Sequence, residues 1–211
     1  MSREYQKTLT GNPDLIQSGF DSSPNNPFVL LKSWFEQADS LNVIEARAMT
    51  LSTVNSGHKP SSRVVLITSI ENGIYFETRD DSRKGIDIQS NPNCAGNLFW
   101  RETMQQINFQ GKVSRLSDEA SDHEFSKRIP EAQAVTTCCV PSIPMKNEAS
   151  LKDSIKNLLQ KNQKINRPLQ WHLYCITLEN IEFWIGSNDR FHKRLRYELV
   201  HNLWQNQRLQ P

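Results

Sequence analysis

Residues 49–54 read MTLSTV and begin a region in which apolar and polar side chains alternate. The same period of two returns, after polar turns, in four further runs: SRVVLITS (62–69), IYFET (74–78), AGNLFW (95–100) and QQINFQGKV (105–113). Short alternating runs separated by turn residues such as Asn72-Gly73 are typical of an antiparallel meander. The region therefore predicts about five strands, and these decide the fold.

Helical signals flank and interrupt the meander. Asn26 can cap a helix that begins at Pro27, and apolar residues at helical spacing predict that it spans 27–40. Ser82 can cap a short helix that stops before Asn91-Pro92. The remaining pattern predicts helices over 117–128 and 148–163, an irregular linker around Pro130 and over 141–144, and strands over 171–178, 181–185 and 190–209.

Short strands at close spacing, with a few helices between them, predict a mainly β (α+β) protein, an antiparallel barrel with peripheral helices. No internal repeat and no glycine-rich linker divides the chain, so residues 27–211 are predicted to form one domain. Residues 1–26 are polar and rich in turn residues, and we expect them to form a flexible N-terminal arm.

The composition argues against several classes of partner. Lys and Arg total 25 against 23 Asp and Glu, so the net charge of +2 creates no global field that would attract nucleic acid or an acidic membrane. The longest aliphatic run, 64–67, is far shorter than the roughly 20 residues of a membrane helix. No apolar segment follows the charges near the N-terminus, which favours a cytoplasmic location. Because the net charge is small, any anion must be bound by a local cluster of cations.

Cysteine and histidine give no metal signature. Cys94, Cys138, Cys139 and Cys175 lack the CxxC spacing of zinc and redox sites. We predict reduced, buried thiols, and a single Cys–His nucleophile stays open as an alternative. The histidines also lack metal-ligand spacing, so no metal site is predicted. Neither GxGxxG nor GxxxxGK[ST] occurs, which argues against a glycine-rich phosphate loop.

The segment DSRKG over 81–85 is a candidate anion site. A serine cap, two cations and the free amides of a first helical turn would converge there. Arg63 stands in an otherwise apolar strand, where a guanidinium either extends to solvent at the strand end or points to a ligand phosphate. Runs of charge usually face water, so the residues alone leave both interpretations open.

Near the C-terminus, Arg190, His192 and Arg194 alternate in a predicted strand and would share one face. This face is either the basic wall of a ligand groove beside the aromatic segment IEFWI (181–185), or a solvated edge strand whose charges oppose aggregation. The residue pattern does not decide between the two.

The order of these segments resembles the pyridoxamine 5'-phosphate oxidase family of flavoproteins. The resemblance extends from about residue 26 to the C-terminal RLQP and rests on these motifs in chain order: RVVLIT (63–68), ET (77–78), SRKG (82–85), NP (91–92), Gln106, IEFW (181–184), RFH (190–192) and Arg194. It implies a split β-barrel homodimer that binds one FMN at each of two sites in the subunit interface.

The resemblance also implies the residues of the site. FMN would be bound by Arg63, Val64, Thr68, Glu77, Thr78, Ser82, Arg83, Lys84 and Gln106, with Ser142, Trp184 and Arg194 supplied by the partner subunit. A phosphate dianion needs several cations and donors, and a flavin ring needs flat apolar walls. Arg190 and His192 would be catalytic, and Arg128 would join them in binding the substrate.

Departures from the family concern the substrate. Vitamin B6 oxidases bind the substrate phosphate with a Lys, a Tyr, an Arg and a Ser. At these four positions, this chain resembles them only at Arg128. It has Thr68, Glu124 and Ala132 at the other three places. The segment WRETMQQI over 100–107 is similar instead to the phenazine-biosynthesis flavin oxidases of the same superfamily, as are Thr68 and the segment DRFHKRLRY over 189–197.

The resemblance thus implies an FMN-dependent oxidase. It would dehydrogenate a reduced phenazine-type tricyclic carboxylic acid, with O2 reoxidising the flavin and releasing H2O2. Arg128, Arg190 and His192 would suit carboxylates on a flat aromatic substrate. Two alternatives stay open: pyridoxine or pyridoxamine 5'-phosphate oxidation, and a flavin-binding module without turnover, because a fold does not fix a function.

Overall fold

The computed structural model describes residues 19–161 and 163–211. Its helices are α1 (Pro27–Ser40), α2 (Arg83–Ser90), α3 (Asp118–Ser126), α4 (Pro130–Cys138) and α5 (Glu148–Gln160). Its strands are β1 (Ala48–Val54), β2 (Pro60–Ile70), β3 (Ile74–Arg79), β4 (Asn93–Trp100), β5 (Gln105–Arg115), β6 (Trp171–Ile185), β7 (Lys193–Val200) and β8 (Leu203–Leu209). The predicted caps are present, since Asn26 Oδ1 accepts from Phe28 N at 3.0 Å and begins α1.

The strands form an antiparallel barrel with a split. Six of them follow the order β3-β2-β1-β4-β5-β6, and pairing between β3 and β6 closes the ring. The long strand β6 pairs with β3 through its first half, as at Ile176 opposite Ile74, and with β7 through its second half, as at Ile181 opposite Tyr197. The β7–β8 hairpin therefore continues the sheet beyond Ile74, the first residue of β3, and leaves the barrel there. This confirms the predicted antiparallel split barrel with peripheral helices.

Alternation along the strands fills the barrel with apolar side chains, and α1 packs against it. Trp34 lies edge-on to Phe183 at 5.1 Å between ring centroids, and Phe35 lies edge-on to Trp100 at the same distance. Leu31 is fully buried beside them. Burying one such side chain contributes about 1.5–3 kcal/mol relative to exposure, so this helix is a main source of stability.

A second, smaller apolar cluster joins α3, α4 and α5 to the barrel. Phe125 and Trp171 lie edge-on at 5.2 Å, with Ala134 and Ile165 buried against them. Leu158 of α5 packs on this cluster while remaining partly exposed. The helices following β5 are therefore attached to the outside of the barrel near the start of β6.

The structure differs from the predicted elements around Pro130 and Glu179. The linker predicted to be irregular at Pro130 is helix α4, since proline at the first helical position loses no intrahelical hydrogen bond. The strands predicted over 171–178 and 181–185 are one strand, because Glu179 is accommodated as an extra residue where the pairing with β5 shifts.

The C-terminal strand also begins later than predicted. Residues 190–192 form a turn, in which Asp189 Oδ1 accepts from Phe191 N at 2.8 Å and Arg190 has a left-handed backbone with φ of 67°. Lys193 is the first residue of β7. The prediction that Arg190, His192 and Arg194 share one strand face is therefore wrong, because only Arg194 lies in the strand.

The first eighteen residues of the predicted arm, 1–26, lie outside the described residues. Within its last eight residues, Phe20 and Pro24 contact α1 and the β7–β8 hairpin. Phe20 is buried, with its ring 6.1 Å from that of Trp34, and the Arg208 guanidinium lies 5.3 Å from the Phe20 ring centroid. Tyr197 Oη donates to Pro24 O at 2.9 Å. This segment therefore connects α1 to the β7–β8 hairpin.

Candidate functional site

The N-terminus of α2 forms a cradle of backbone and hydroxyl groups. Ser82 Oγ accepts from Gly85 N at 3.2 Å and donates to Arg79 O at 2.7 Å. A Cβ at Gly85 would lie 2.3 Å from Arg79 O, so only glycine lets α2 begin this close to the preceding loop. The free amides and the positive end of the helix dipole favour an anion at this position.

Three cationic side chains surround this helix start. Arg83 and Lys84 belong to α2, and Arg63 extends from β2. Burial and the neighbouring Arg63 charge lower the pKa of Lys84. Burial also lowers the pKa of Arg63, an effect that Asp87 opposes and Arg83 reinforces. The cations repel one another, so the cluster holds an excess of positive charge that a bound anion would relieve.

Asp87 is a site residue that the sequence analysis missed. It is buried on α2, and its Oδ2 accepts from Thr53 Oγ1 at 2.7 Å and from Ser61 Oγ at 3.1 Å. Arg63 Nη1 donates to the same Thr53 hydroxyl at 2.7 Å. The network therefore orients the Arg63 guanidinium. The sequence feature that could have identified Asp87 is its position next to Ile88 on the buried side of a short helix.

Two further residues predicted to bind FMN adjoin the cradle. Lys84 Nζ donates to Thr78 Oγ1 at 3.1 Å. Ser142, expected from the partner subunit, accepts from Arg83 N at 3.3 Å within the same chain. The structure therefore places both hydroxyls, together with Ser82, beside the chain's own cations.

Three of the predicted FMN residues lie on another part of the barrel surface: Gln106, Trp184 and Arg194. Gln106 on β5 stands opposite Trp184 on β6, which stands opposite Arg194 on β7. Strand alternation places all three on one face, as a single row. Arg194 donates to both carboxylate oxygens of Glu182, at 2.7 and 3.0 Å, and these hydrogen bonds raise the pKa of Arg194. The row was expected to be divided between two subunits.

The turn over residues 187–192 carries both predicted catalytic residues. Ser187 N donates to His192 Nδ1 at 3.1 Å, so a neutral imidazole carries its proton on Nε2. The His192 ring lies 4.9 Å from the Trp184 ring, next to the row that contains Gln106. Arg190 is exposed, and its guanidinium has no hydrogen-bond or ion-pair partner among the described residues. Both side chains are therefore free to contact a ligand at this surface.

Arg128 and Glu77, predicted to bind substrate and cofactor respectively, form an ion pair with each other. The Arg128 guanidinium also lies over the Trp171 ring, 5.4 Å from its centroid. Burial raises the pKa of Glu77 although the Arg128 charge opposes this effect. Within the parts of the chain that the structure describes, no hydrogen bond or ion pair connects Arg128 with Arg190 or His192.

The outer face of β2 provides an apolar wall near the cradle. Val64 and Leu66 are 65% and 57% exposed, which is unusual for aliphatic residues in a strand. Thr68 Oγ1, on the same strand, is buried and lacks a hydrogen-bond partner among the described residues. An apolar strip next to an unpaired hydroxyl suits a flat ring with polar edges.

The cysteines form no reactive cluster among the described residues, and the prediction of buried thiols is confirmed for Cys94 and Cys175 but wrong for Cys138 and Cys139, which are half-buried. All four thiols are free, and burial raises the pKa of Cys94 to about 12, which opposes thiolate formation. Within 19–161 and 163–211, no group of three or more His, Cys, Asp or Glu side chains is placed to hold a metal ion. None of the described helices has the length and apolar character needed to cross a bilayer.

The cradle and the Gln106 row are separated on the barrel surface. Strands β1 and β4 lie between β2 and β5, so three strand spacings of about 4.8 Å, roughly 14 Å in all, separate them across the sheet. The exposed face between them is polar and concave, with Ser52, Asn97, Asn108 and Arg196 in its lining and a volume of about 360 Å³.

Family models match most of the chain. Residues 36–161 match the model for pyridoxamine 5'-phosphate oxidase, and residues 171–211 match that for the pyridoxine 5'-phosphate oxidase C-terminal dimerisation region. The chain belongs to the pyridoxamine 5'-phosphate oxidase family. The dimerisation region contains the Trp184–Arg194 pair and the 187–192 turn, and therefore four of the predicted site residues: Trp184, Arg190, His192 and Arg194.

Curated relatives with two different activities are similar to this chain. Dihydrophenazinedicarboxylate synthase of Pseudomonas chlororaphis is 31% identical over 100% of this chain and 96% of its own length, and that of Burkholderia lata is 34% identical over 100% of both. Pyridoxine/pyridoxamine 5'-phosphate oxidase of Mannheimia succiniciproducens is 36% identical over 89% of this chain and 90% of its own. Overall identity therefore does not separate the two activities.

Solved structures of the family agree with the fold. PhzG from Burkholderia lata 383, in complex with tetrahydrophenazine-1-carboxylic acid, is 34% identical and superposes with a TM-score of 0.91 over 94% of this chain and 98% of that one. A pyridoxamine 5'-phosphate oxidase-related, FMN binding protein from Nostoc punctiforme has a TM-score of 0.72 over 87% of this chain and 96% of its own, at 16% identity, and thus shares the fold.

The residues present fit the flavin mononucleotide that this family binds. Its phosphate needs several cations and donors, and Arg63, Arg83 and Lys84 surround the amides of a helix start with only the buried Asp87 as a direct counter-charge in the described network. Its ring system needs an apolar wall with unpaired polar groups, and Val64 and Thr68 on β2 provide both.

Proposed function

We propose that the protein is an FMN-dependent oxidase that dehydrogenates a reduced phenazine-type carboxylic acid and uses O2 as the electron acceptor. The observation that carries the cofactor assignment is the excess of positive charge at the start of α2, where burial and the Arg63 charge lower the pKa of Lys84, and burial and the Arg83 charge lower that of Arg63. A phosphate monoester placed there gains charge-assisted hydrogen bonds in a partly desolvated cradle.

The bound flavin would accept a hydride equivalent from the substrate and transfer the electrons to O2, with release of H2O2. The chain's own residues position both partners. Arg63, Ser82, Arg83 and Lys84 would bind the phosphate, with Thr78 alongside, and Gln106 would contact the ring system. The guanidinium of the exposed Arg190 and the Nε2 proton of the half-buried His192, whose ring lies next to Trp184, would bind the substrate carboxylate.

A homodimer would complete each site. The C-terminal dimerisation region carries Trp184, His192 and Arg194, on and beside β6 and β7, which follow β5 in the sheet, whereas the cradle adjoins β2. A two-fold axis would bring this surface of one subunit against the cradle of the other, and the same contact would occur twice. Ser142 could then serve either of two sites. The resemblance implies that it contacts the FMN of the other subunit, whereas here its hydroxyl accepts from Arg83 N of its own chain.

The substrate assignment rests on the surroundings of Arg128 and on the relatives. PhzG from Burkholderia lata binds a tetrahydrophenazine carboxylic acid, and two full-length relatives are dihydrophenazinedicarboxylate synthases. Arg128 is paired with Glu77, and Glu124 adds a second negative charge nearby. A phosphate dianion would meet little net positive charge there, whereas a carboxylate has Arg190 and His192 available at the C-terminal turn.

Pyridoxine or pyridoxamine 5'-phosphate oxidation is the second candidate, because the Mannheimia succiniciproducens oxidase is 36% identical. A flavin-binding module without turnover is the third. We further propose a cytoplasmic enzyme that requires neither nucleic acid nor a membrane.

Parallel aerobic assays separate the three candidates. We expect H2O2 formation with a reduced phenazine carboxylic acid and little pyridoxal 5'-phosphate formation from the vitamin substrates. The opposite pattern would establish the second candidate. Yellow protein that oxidises neither substrate would establish the third, and protein that releases no FMN on denaturation would exclude all of them.

A further inference from the structure

The structure contains two clusters of charged side chains, and they differ in charge balance. In the cradle, Arg63, Arg83 and Lys84 face one carboxylate, that of Asp87. Around Arg128 the charges are balanced: the charges acting on Glu77 come from Arg128 and Lys127 on one side and from Glu124 on the other. The first cluster is therefore suited to a dianion, and the second is not.

The Arg128 side chain is held from three directions. Glu77 pairs with it from β3, the Trp171 ring packs under it, and Thr136 Oγ1 of α4 accepts from Nη2 at 3.4 Å. Its side chain is 26% exposed, so a ligand can still reach the guanidinium. Its Nε is buried and has no hydrogen-bond partner among the described residues. Arg128 is therefore oriented, accessible and not fully satisfied.

Glu77 is more enclosed than its partner, with 12% of its side chain exposed. Water screens such a pair poorly, so the carboxylate cancels most of the local field of the guanidinium. A phosphate group approaching Arg128 would have to displace Glu77 or accept a like charge in direct contact. An uncharged polar group, or one with a single charge, meets a smaller penalty.

We propose that Glu77 is a specificity-determining residue: by neutralising Arg128, it makes the surroundings of this guanidinium reject phosphate dianions and accept uncharged or singly charged polar groups. This deepens the proposed function, on which it rests only for the placement of Arg128 in the substrate site. The role differs from cofactor binding, the role that the family resemblance implies for Glu77.

The test is calorimetric titration of the purified protein, with its bound flavin, using sulfate as a stable dianion. Glu77→Gln removes the charge and keeps the shape, and we expect it to bind sulfate at least about tenfold more tightly than the unmodified protein, because the freed guanidinium forms a charge-assisted pair. The double variant Glu77→Gln/Arg128→Gln should lose that gain. Glu179→Gln, which removes the carboxylate of an exposed pair with Lys112, should show none.

Equal sulfate affinity in Glu77→Gln and the unmodified protein would overturn the proposal, as would a gain that persists without Arg128. The titration measures neither turnover nor flavin reduction. A protein without oxidase activity could therefore still confirm the role of Glu77, and an active oxidase could still contradict it.

A second measurement applies if Glu77→Gln does not fold. The unmodified protein should bind sulfate more tightly as the pH falls through the raised pKa of Glu77, because protonation removes the charge that faces Arg128. The charges of Glu124 and Lys127 also act on Glu77, so Arg128→Gln serves as the reference and should lack the increase. The same pH dependence in both proteins would contradict the proposal.

Discussion

Arg63 Nη2 of β2 lies 3.9 Å from Asp87 Oδ2 of α2. The Thr53 hydroxyl bridges the two side chains, because it donates to the carboxylate and accepts from the guanidinium. The carboxylate is buried, whereas the guanidinium is partly exposed toward the start of α2. The buried carboxylate therefore holds the Arg63 guanidinium in place, and the exposed part of the guanidinium can donate to a ligand.

Replacing the carboxylate tests this arrangement. Asp87→Asn leaves Arg63 partly buried without its counter-charge, and we expect the free energy of unfolding to fall by about 2 kcal/mol. Urea denaturation of the flavin-free protein measures it. Asp153→Asn, at an exposed position of α5, is the control and should change stability by less than about 0.5 kcal/mol. Equal stability of the two variants would mean that the network does not hold the cradle.

The start of α2 should tolerate no side chain at Gly85. A Cβ there would lie 2.3 Å from Arg79 O and 2.6 Å from Asp80 Cα, so the helix start or the loop has to move. We expect Gly85→Ala to lower stability by about 1–3 kcal/mol and to weaken FMN retention. In Gly57→Ala the nearest atom is Asn55 Oδ1 at 3.4 Å, an ordinary contact, and this variant should retain FMN. Thermal denaturation and flavin release during ultrafiltration report both effects.

Lys84 should make FMN affinity depend on alkaline pH. Burial and the Arg63 charge lower its pKa, so the ammonium deprotonates below the ordinary lysine value of about 10.4. Phosphate binding favours the charged form, and affinity therefore falls as the pH rises through this lowered pKa. The flavin-free protein shows the opposite trend, since its unfolded state binds more protons in that window and the free energy of unfolding rises with pH.

Fluorescence titration of the flavin-free protein with FMN at increasing pH measures the loss of affinity. Lys84→Arg keeps its charge throughout and should lack this loss. If the FMN affinity of the unmodified protein stays constant until the pH reaches the ordinary pKa of lysine, Lys84 does not contact the phosphate.

Mixed dimers test whether each site draws on two chains. Arg63→Ala damages the cradle, and Arg194→Ala damages the row that is proposed to come from the partner. Each variant dimer should be nearly inactive. Heterodimers from an equal mixture should contain one intact site, which restores about one quarter of the activity if subunits exchange at random. No recovery after verified exchange would place both residues in one site of one chain.

Local sequence signals predicted most of the fold. Alternation over 49–113 gave the meander, and the caps Asn26 and Ser82 gave the starts of α1 and α2, because these features depend on residues close in the chain. Helix α4 was missed because proline can begin a helix as well as end one. The turn at Arg190 was missed because a left-handed backbone at arginine has no clear sequence signature.

The candidate site was predictable as a set of residues but not as a set of contacts. Arg63, Arg83 and Lys84 could be selected as cations, whereas their association depends on the packing of β2 against α2. Glu77 and Arg128 are 51 residues apart, and only the docking of the α3–α4 connection on β3 pairs them. Pairings over such separations are set by tertiary packing, which a single sequence does not display.

In the proposed reaction, bound FMN takes electrons from a reduced phenazine-type carboxylic acid. The most direct test is anaerobic addition of such an acid, for example a dihydrophenazine carboxylic acid, to the purified yellow protein while its visible spectrum is recorded. We expect the flavin absorbance to be lost within the turnover time and to return when air is admitted, with H2O2 formed. An unchanged flavin spectrum in the presence of excess substrate would contradict it.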